Sequence, residues 1–412
     1  MKILILTQYF PPEVGAAQNR LMNLAKGLKK KGADVTILTA FPNYPSMKIH
    51  EGYRGRFYRK ESLNGLTVHR CWIYVAGSKS IIPRLLNYFS FVFTSFFIGW
   101  IKLGRFDFII CESPPLFLGI SGYLLKKLKH AKFIFNVSDL WPESAEKLGL
   151  VSNRFLLNIS TKLEEFLYRR SAFISGQTQG IVRNIQSRFP EKKLCWLKNG
   201  IDLSYFESVN RVDGKWRSEN GYADKEFLVL YAGIIGHAQG LEVILKAAQI
   251  LRGEISIRFI LMGSGPVKER LTAMKEDLAL SSVDFYNVVT RDELMQVIND
   301  IDAAVIPLLR LELFRGAIPS KIFEILALKK PILLGVEGEA EELFIQNGRA
   351  GLAFIPEDAG DLAEKVRYLA ENPGQGKLFG DNGYNYVSSK FNWDTIAEDF
   401  WQHLIKAENK HE

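Results

Sequence analysis

Short apolar runs alternate with segments of helical periodicity along most of the chain. In the first half, the runs at 2–7 (KILILT), 34–40 (DVTILTA), 66–74 (LTVHRCWIY), 106–113 (FDFIICES), 131–138 (AKFIFNVS), 172–178 (AFISGQT) and 193–200 (KLCWLKNG) predict strands. A helix over about 16–31 puts Leu21, Leu24, Ala25 and Leu28 on one face. Residues 205–226 are polar and poor in strand pattern, and read as a linker. A second series follows at 227–233 (FLVLYAG), 257–263 (IRFILMG), 283–287 (VDFYN), 303–309 (AAVIPLL), 331–336 (PILLGV) and 351–356 (GLAFIP), with a helical pattern between successive runs. Strands and helices in alternation are the pattern of parallel α/β layers. The expected fold is α/β: two Rossmann-like, doubly wound parallel-sheet domains facing across a cleft. The first would hold residues 1–204 and a closing helix over 391–412, the second residues 205–390. Ligands of such sheets lie at the carboxyl ends of the strands.

Composition narrows the partners. The 412 residues suffice for roughly two to three domains, and 47% hydrophobic against 24% charged residues indicates a globular chain with large cores. A net charge of +8 favours an anionic partner: a nucleotide, a phosphorylated lipid or an acidic membrane face. Zinc-finger spacing and RNA-binding aromatic motifs are missing from the sequence, so nucleic acid is not expected. Cys71, Cys111 and Cys195 are widely spaced, odd in number and set in or beside apolar runs, which implies buried thiols in a reducing compartment. The six histidines lack metal-site spacing. The start MKILILTQYF has no cleavage site after its apolar run, so it is expected to be a first strand of a cytoplasmic protein.

Residues 85–101 carry no charge and are flanked by Arg84 and Lys102. Their 17 residues sit at the short edge of the roughly 17–25 that span a bilayer, and Asn87, Ser90, Thr94 and Ser95 weaken that reading. A buried helix and a helix dipping into one leaflet beside basic residues both fit.

Several loops carry candidate chemistry. The first strand leads through Pro11 and Pro12 to Gly15 and a helix, where backbone amides could approach a phosphate. Gly233, Gly236 and Gly240 follow a strand and precede a helix, with His237 between them. Their spacing is neither the dinucleotide fingerprint nor a Walker loop, but it makes a phosphate-sized turn. GSGP at 263–266 is a further strand-to-turn junction, and Asn287 closes the next strand. In PSKIFE at 319–324, Ser320 and Lys321 open a helix and offer amides and a cation, while Glu324 lies on the same face and can accept two hydrogen bonds from a vicinal diol. A solvated Lys–Glu pair is the plainer alternative. Ser138 and Asp139 sit just past a strand end, either as a polar group at the site or as a helix cap. Asp300-x-Asp302 matches a metal-binding D-x-D pattern but reads here as a helix end and strand entry.

Taken in order, these motifs resemble glycosyltransferase family 4, retaining enzymes of the GT-B fold. The likeness rests on the Gly15 loop, Asn199-Gly200-Ile201-Asp202 followed by Phe206, the stretches AGIIGHAQGL and GSGP, DAAVIPLL, SKIFEILALKKPIL and FNWDTIAEDF. Departures point within the family. Gly316 stands where the first of a glutamate pair would be, eight residues before Glu324; Ile234 and Gln239 replace a loop arginine and lysine; Ser138 replaces a histidine. DLWPES, the AQGL loop and PSKIFE together resemble bacterial N-acetyl-L-fucosamine transferases of polysaccharide assembly. The resemblance implies a UDP-sugar donor, and the apolar 85–101 segment with its basic flanks and the +8 charge points to a polyprenyl-diphosphate-linked glycan acceptor. Amide dipoles and Lys321 would neutralise the phosphates, so metal-independent catalysis with no cofactor is expected, and the 85–101 segment suggests a peripheral place on the inner face of the cell membrane. Lys321, Glu324 and Asp139 would be catalytic, with Gly15, Ser138, Gly233, Gly236, His237, Gly265, Asn287 and Ser320 holding the donor. Epimerases of the same fold and a non-catalytic nucleotide-sugar binder are the rival classes.

Overall fold

A computed structural model describes residues 1–13, 15–44, 47–75, 77, 81–147, 153–209, 211–253 and 257–409. The chain divides into two compact units, Met1–Asn199 with Trp393–Glu412, and Gly200–Asn392. The expected borders at 204/205 and 390/391 lie a few residues away. Ile201 bridges Asn392 and its N–H donates to the Phe391 carbonyl, while Phe391 packs its ring on Phe323 and Phe344. Those contacts carry 200–204 and 391–392 into the second unit.

The N-terminal unit holds β1 (Lys2–Leu6), β2 (Asp34–Ala40), β3 (Tyr58–Leu63), β4 (Leu66–Cys71), β5 (Phe108–Ser113), β6 (Lys132–Val137), β7 (Phe173–Gly176) and β8 (Leu194–Trp196), in the order β3-β4-β2-β1-β5-β6-β7-β8. All pairs are parallel except β3, which runs antiparallel to β4. Its sequence YRKESL alternates half-buried with exposed positions, so it lacks the apolar run that betrays the other strands. One sheet face packs on the helices Ile81–Lys102, Leu118–Lys129 and Arg154–Arg170 through Phe91, Ile98, Leu118, Leu125, Leu167 and Tyr168. The other face is covered by the helices Ala16–Lys30 and Trp393–Glu408 through Leu21, Leu24, Ile396 and Phe400. Gly27 permits the close approach of these two, since a Cβ there would collide with the side chain of Ala397.

The C-terminal unit holds β9 (Phe227–Ala232), β10 (Ile257–Met262), β11 (Val283–Tyr286), β12 (Ala303–Pro307), β13 (Ile332–Gly335) and β14 (Gly351–Ala353), all parallel, in the order β11-β10-β9-β12-β13-β14. Both sheets reverse their winding once, at β1/β5 and at β9/β12. Loops that leave the carboxyl ends of such strands diverge and leave a crevice for ligand.

Residues 205–226 are no linker. They form short helices at Leu203–Ser208 and Lys215–Glu219 that belong to the C-terminal unit. Trp216 stacks on Tyr222 at 5.4 Å and lies 5.4 Å from Tyr286. Buried Arg217 donates to the Asp300 carbonyl at 2.6 Å and to Asp302 at 2.5 Å. Asp300 in turn accepts from the backbone of Gly214 and Trp216, at 3.0 and 2.7 Å. The D-x-D pair is therefore committed to anchoring this segment, in keeping with its reading as a helix end and strand entry.

The helix Ile81–Lys102 is long and apolar enough to cross a membrane by length and composition. One of its faces is core: Phe91 and Ile98 are buried, the buried Asn87 accepts from Gln8 at 2.9 Å, and Ser95 donates to Ser121 at 2.9 Å. Its opposite face is exposed at Leu86, Phe89, Phe93 and Trp100.

Candidate active site

Strand β9 ends at Ala232, and the chain turns at Gly233 with φ +139°. A Cβ at Gly233 would lie 3.0 Å from Lys321 Nζ, so glycine leaves the ammonium its place. Lys321 opens the helix Lys321–Ala327, and its Nζ sits 3.8 Å from the centre of the Tyr231 ring. A cation on an aromatic face is held without being neutralised. Burial pushes the Lys321 pKa down to about 7, with the Glu324 charge pulling weakly the other way.

The neighbouring loops meet backbone to backbone. Gly263 (φ +151°) and Gly265 (φ +158°) pass so close to the carbonyls of Gly233 and Ile235 that a side chain at either would collide with them. The Ile235 N–H donates to Ser264 O at 2.9 Å, and that of Val267 to Ile235 O at 3.2 Å. Lys268 Nζ donates to Gly263 O at 3.0 Å, Tyr286 O at 2.9 Å and Asn287 Oδ1 at 3.0 Å, fixing the loops that follow β10 and β11. Gly236 is buried, and the Leu309 N–H after β12 donates to Ala238 O at 2.9 Å. His237 and Ser320 are exposed; the Ser320 side chain makes no capping bond.

Glu324 does not pair with Lys321. Its partner is Arg291, at 3.3 Å. Arg291 begins the helix Arg291–Asp300, whose start is fixed by the reciprocal Thr290–Glu293 capping box, and its guanidinium lies 4.0 Å from the centre of the Tyr205 ring. The Glu324 pKa stays above the ordinary carboxylate value: burial raises it, and Arg291 and then Lys321 offset only part of that rise. At the missing glutamate position, Gly316 ends a 3₁₀ turn, Glu312–Gly316.

In the N-terminal unit, Gly15 precedes the helix that carries Arg20. Arg20 is 2% exposed and donates to Glu112 at 2.7 Å, to Asn199 at 3.1 Å and to the Ser138 hydroxyl. Ser138 and Asn136 both donate to Glu112, and Ser175 donates to Asn136 at 2.6 Å. Strand ends β5, β6 and β7 are thereby joined by one buried polar network. Asp139 accepts from the Ser144 hydroxyl at 2.8 Å, at the start of the helix Glu143–Lys147. Cys71, Cys111 and Cys195 are free and buried, and burial pushes each thiol up.

Residues 212–386 match the family of glycosyl transferases group 1, and residues 15–200 match the glycosyl transferase 4-like domain. The chain is a glycosyltransferase. It is 27% identical over 347 residues to WcaI of Escherichia coli (strain K12), whose name assigns it as a glycosyl transferase to colanic acid biosynthesis; the match covers 83% of this chain and 84% of WcaI. Sucrose-phosphate synthase from Thermosynechococcus elongatus has a similar fold, with a TM-score of 0.73 at 17% identity over 98% of both chains. So does Anabaena Alr3699/HepE in complex with UDP, with a TM-score of 0.72 at 16% identity over 98% of this chain and 100% of the other. The transferase thus has the GT-B architecture of two parallel-sheet domains.

Gly233, Gly265, Asn287 and Lys321 come together around the ends of β9, β10 and β11, with Glu324 one turn further along its helix. Tyr231, Lys268 and Arg291 are the residues that sequence reasoning missed. Tyr231 lies inside an apolar run and Arg291 inside a capping box, so both patterns already had a structural explanation. Arg20 and Glu112 left a clearer signal: each is a charged residue where the periodicity calls for an apolar one.

Proposed function

We propose that this glycosyltransferase moves a sugar, with retention at the anomeric carbon, from a UDP-sugar to a lipid-linked glycan during surface polysaccharide assembly. The carrying observation is Lys321, a desolvated amine braced on Tyr231 beside the Gly233 turn and, among the described residues, in no ion pair with a carboxylate. A diphosphate is the anion that fits a cation flanked by exposed loop amides. As UDP departs, charge builds on the β-phosphate, and donors already in place stabilise that state more than the bound substrate. Glu324, paired with Arg291, would take the ribose diol. Attack by the acceptor on the face of the departing diphosphate needs no protein nucleophile, because the diphosphate can take the proton.

The choice of UDP is supported by the HepE complex with UDP, and polysaccharide assembly by the likeness to WcaI. N-acetylhexosamines, 6-deoxy forms such as N-acetyl-L-fucosamine included, are the first donors to try. A thermal-shift panel of UDP-, GDP-, dTDP- and CMP-sugars tests the reading, since stabilisation follows RT ln(1 + [L]/Kd). UDP-sugars are expected to raise the melting temperature most. A larger shift with GDP-sugars would overturn the UDP assignment.

A further inference from the structure

The helices Ile81–Lys102, Leu118–Lys129 and Arg154–Arg170 form one layer on the sheet of the N-terminal unit, and each turns an apolar stripe outward. The first exposes Leu86, Phe89, Phe93 and Trp100, spaced for one helix face, with Phe93 63% and Trp100 50% exposed. The second exposes Leu124 and Leu128, and the third Phe155, 70% exposed, with Ile159 and Phe166. The stripes adjoin. Lys129 donates to the Trp100 carbonyl at 2.8 Å, Lys126 to the Arg170 carbonyl at 2.8 Å, and the Tyr123 and Phe166 rings meet at 4.8 Å. A soluble monomer seldom shows so many large side chains together.

Charge distinguishes the occupant. The three helices carry nine Lys and Arg and only two Glu. Glu164 is buried against Arg188 at 2.5 Å, and Glu165 pairs with Arg169 at 3.1 Å. Arg84, Lys102, Lys127, Lys162 and Arg170 are exposed. An apolar stripe beside exposed cations that form no salt bridge among the described residues matches a bilayer surface bearing anionic headgroups, where aromatic rings enter the interface and basic side chains meet phosphates. A second copy of this chain would bring like charges together. The geometry points to this three-helix face as a docking surface for an anionic membrane, through which the enzyme meets a lipid-linked acceptor. The acceptor part rests on the function proposed above; the docking does not.

The test is co-sedimentation of the full chain with vesicles of phosphatidylcholine alone and of phosphatidylcholine mixed with phosphatidylglycerol. Binding is expected to the mixed vesicles and to weaken with salt. A variant with Phe93→Ser and Phe155→Ser is expected to lose about tenfold or more of that binding, and so is one with Lys127→Glu and Lys162→Glu. Both should keep the wild-type melting temperature and UDP-sugar binding, since these side chains point outward. Equal binding to neutral vesicles, or full binding by either variant, overturns the proposal. So does concentration-dependent dimerisation abolished by the serine variant without any vesicle binding. Failure of UDP to bind would strike the donor reading and leave the docking result standing.

Discussion

At the scale of single residues, Lys321 decides most. Its folded value of about 7 lies well below the ordinary 10.5, so the apo site holds it only partly charged at neutral pH. A bound diphosphate favours the ammonium and raises its pKa, so above pH 7 binding must take up a proton. Affinity for a UDP-sugar is therefore expected to fall as pH rises from 7, by up to about tenfold per unit until the pKa of the complex is passed. Calorimetric titrations across that range check it; a flat profile would remove Lys321 from the phosphates. Lys321→Met is expected to lower turnover on the order of 10²-fold, by analogy with loss of an oxyanion donor, and to abolish the pH slope. The sign for stability is opposite. Between 7 and 10.5 the unfolded chain holds the proton and the folded one does not, so this lysine's cost is largest below pH 7 and fades as pH rises. The methionine variant should melt higher at pH 7 or below. Arg20 and Glu112 make a different case, since both are buried and share Ser138. Glu112→Ala would leave Arg20 buried without its counter-charge, at a cost of about 3–5 kcal/mol in urea unfolding. A loss well under 1 kcal/mol would mean that water reaches the network.

At the scale of elements, glycines govern how closely the loops of the C-terminal unit approach. Gly263→Ala adds a Cβ against the Gly233 carbonyl in a backbone region that L residues avoid. It should cost roughly 1–3 kcal/mol from strain alone and weaken donor binding by shifting the turn under Lys321. Unchanged melting and affinity would show that the turn relaxes freely. What the sequence revealed follows the same logic. Among the described residues thirteen of fourteen strands were legible, the central ones because a strand buried on both faces is a nearly continuous apolar run. Strand β3 was not, because an edge strand can be polar on one side. Residues 205–226 misread as a linker because their anchors are hydrogen bonds to Asp300, an ion pair to Asp302 and a ring contact with Tyr286, far along the chain. The glycine turns and the lysine of the candidate site were visible as local motifs. The Arg291–Glu324 pair was not, because it joins two elements that only the sheet order brings together.

At the scale of the whole molecule, the question is what balances the charge of a leaving diphosphate. The net charge of +8 gives a favourable field for any anion. The fixed local charges near Gly233 are cationic or are dipoles: Lys321, the loop amides, and Lys268 tied to three oxygens. A divalent ion resident in the protein would take one or two carboxylates beside the phosphates. Asp300 and Asp302, the pair whose spacing suits a metal, are bound to Arg217 and to backbone N–H groups. Among the described residues there is no group of three or more His, Cys, Asp or Glu suited to hold one. With Lys321 and the loop amides supplying the balance, as proposed above, turnover of a UDP-sugar is expected to persist in excess EDTA at its untreated rate, while Lys321→Met remains impaired whether or not magnesium or manganese is added. A fall of about tenfold or more in EDTA, restored by either ion, would assign the charge balance to a metal carried in with the donor. Lys321 would then be an accessory to it.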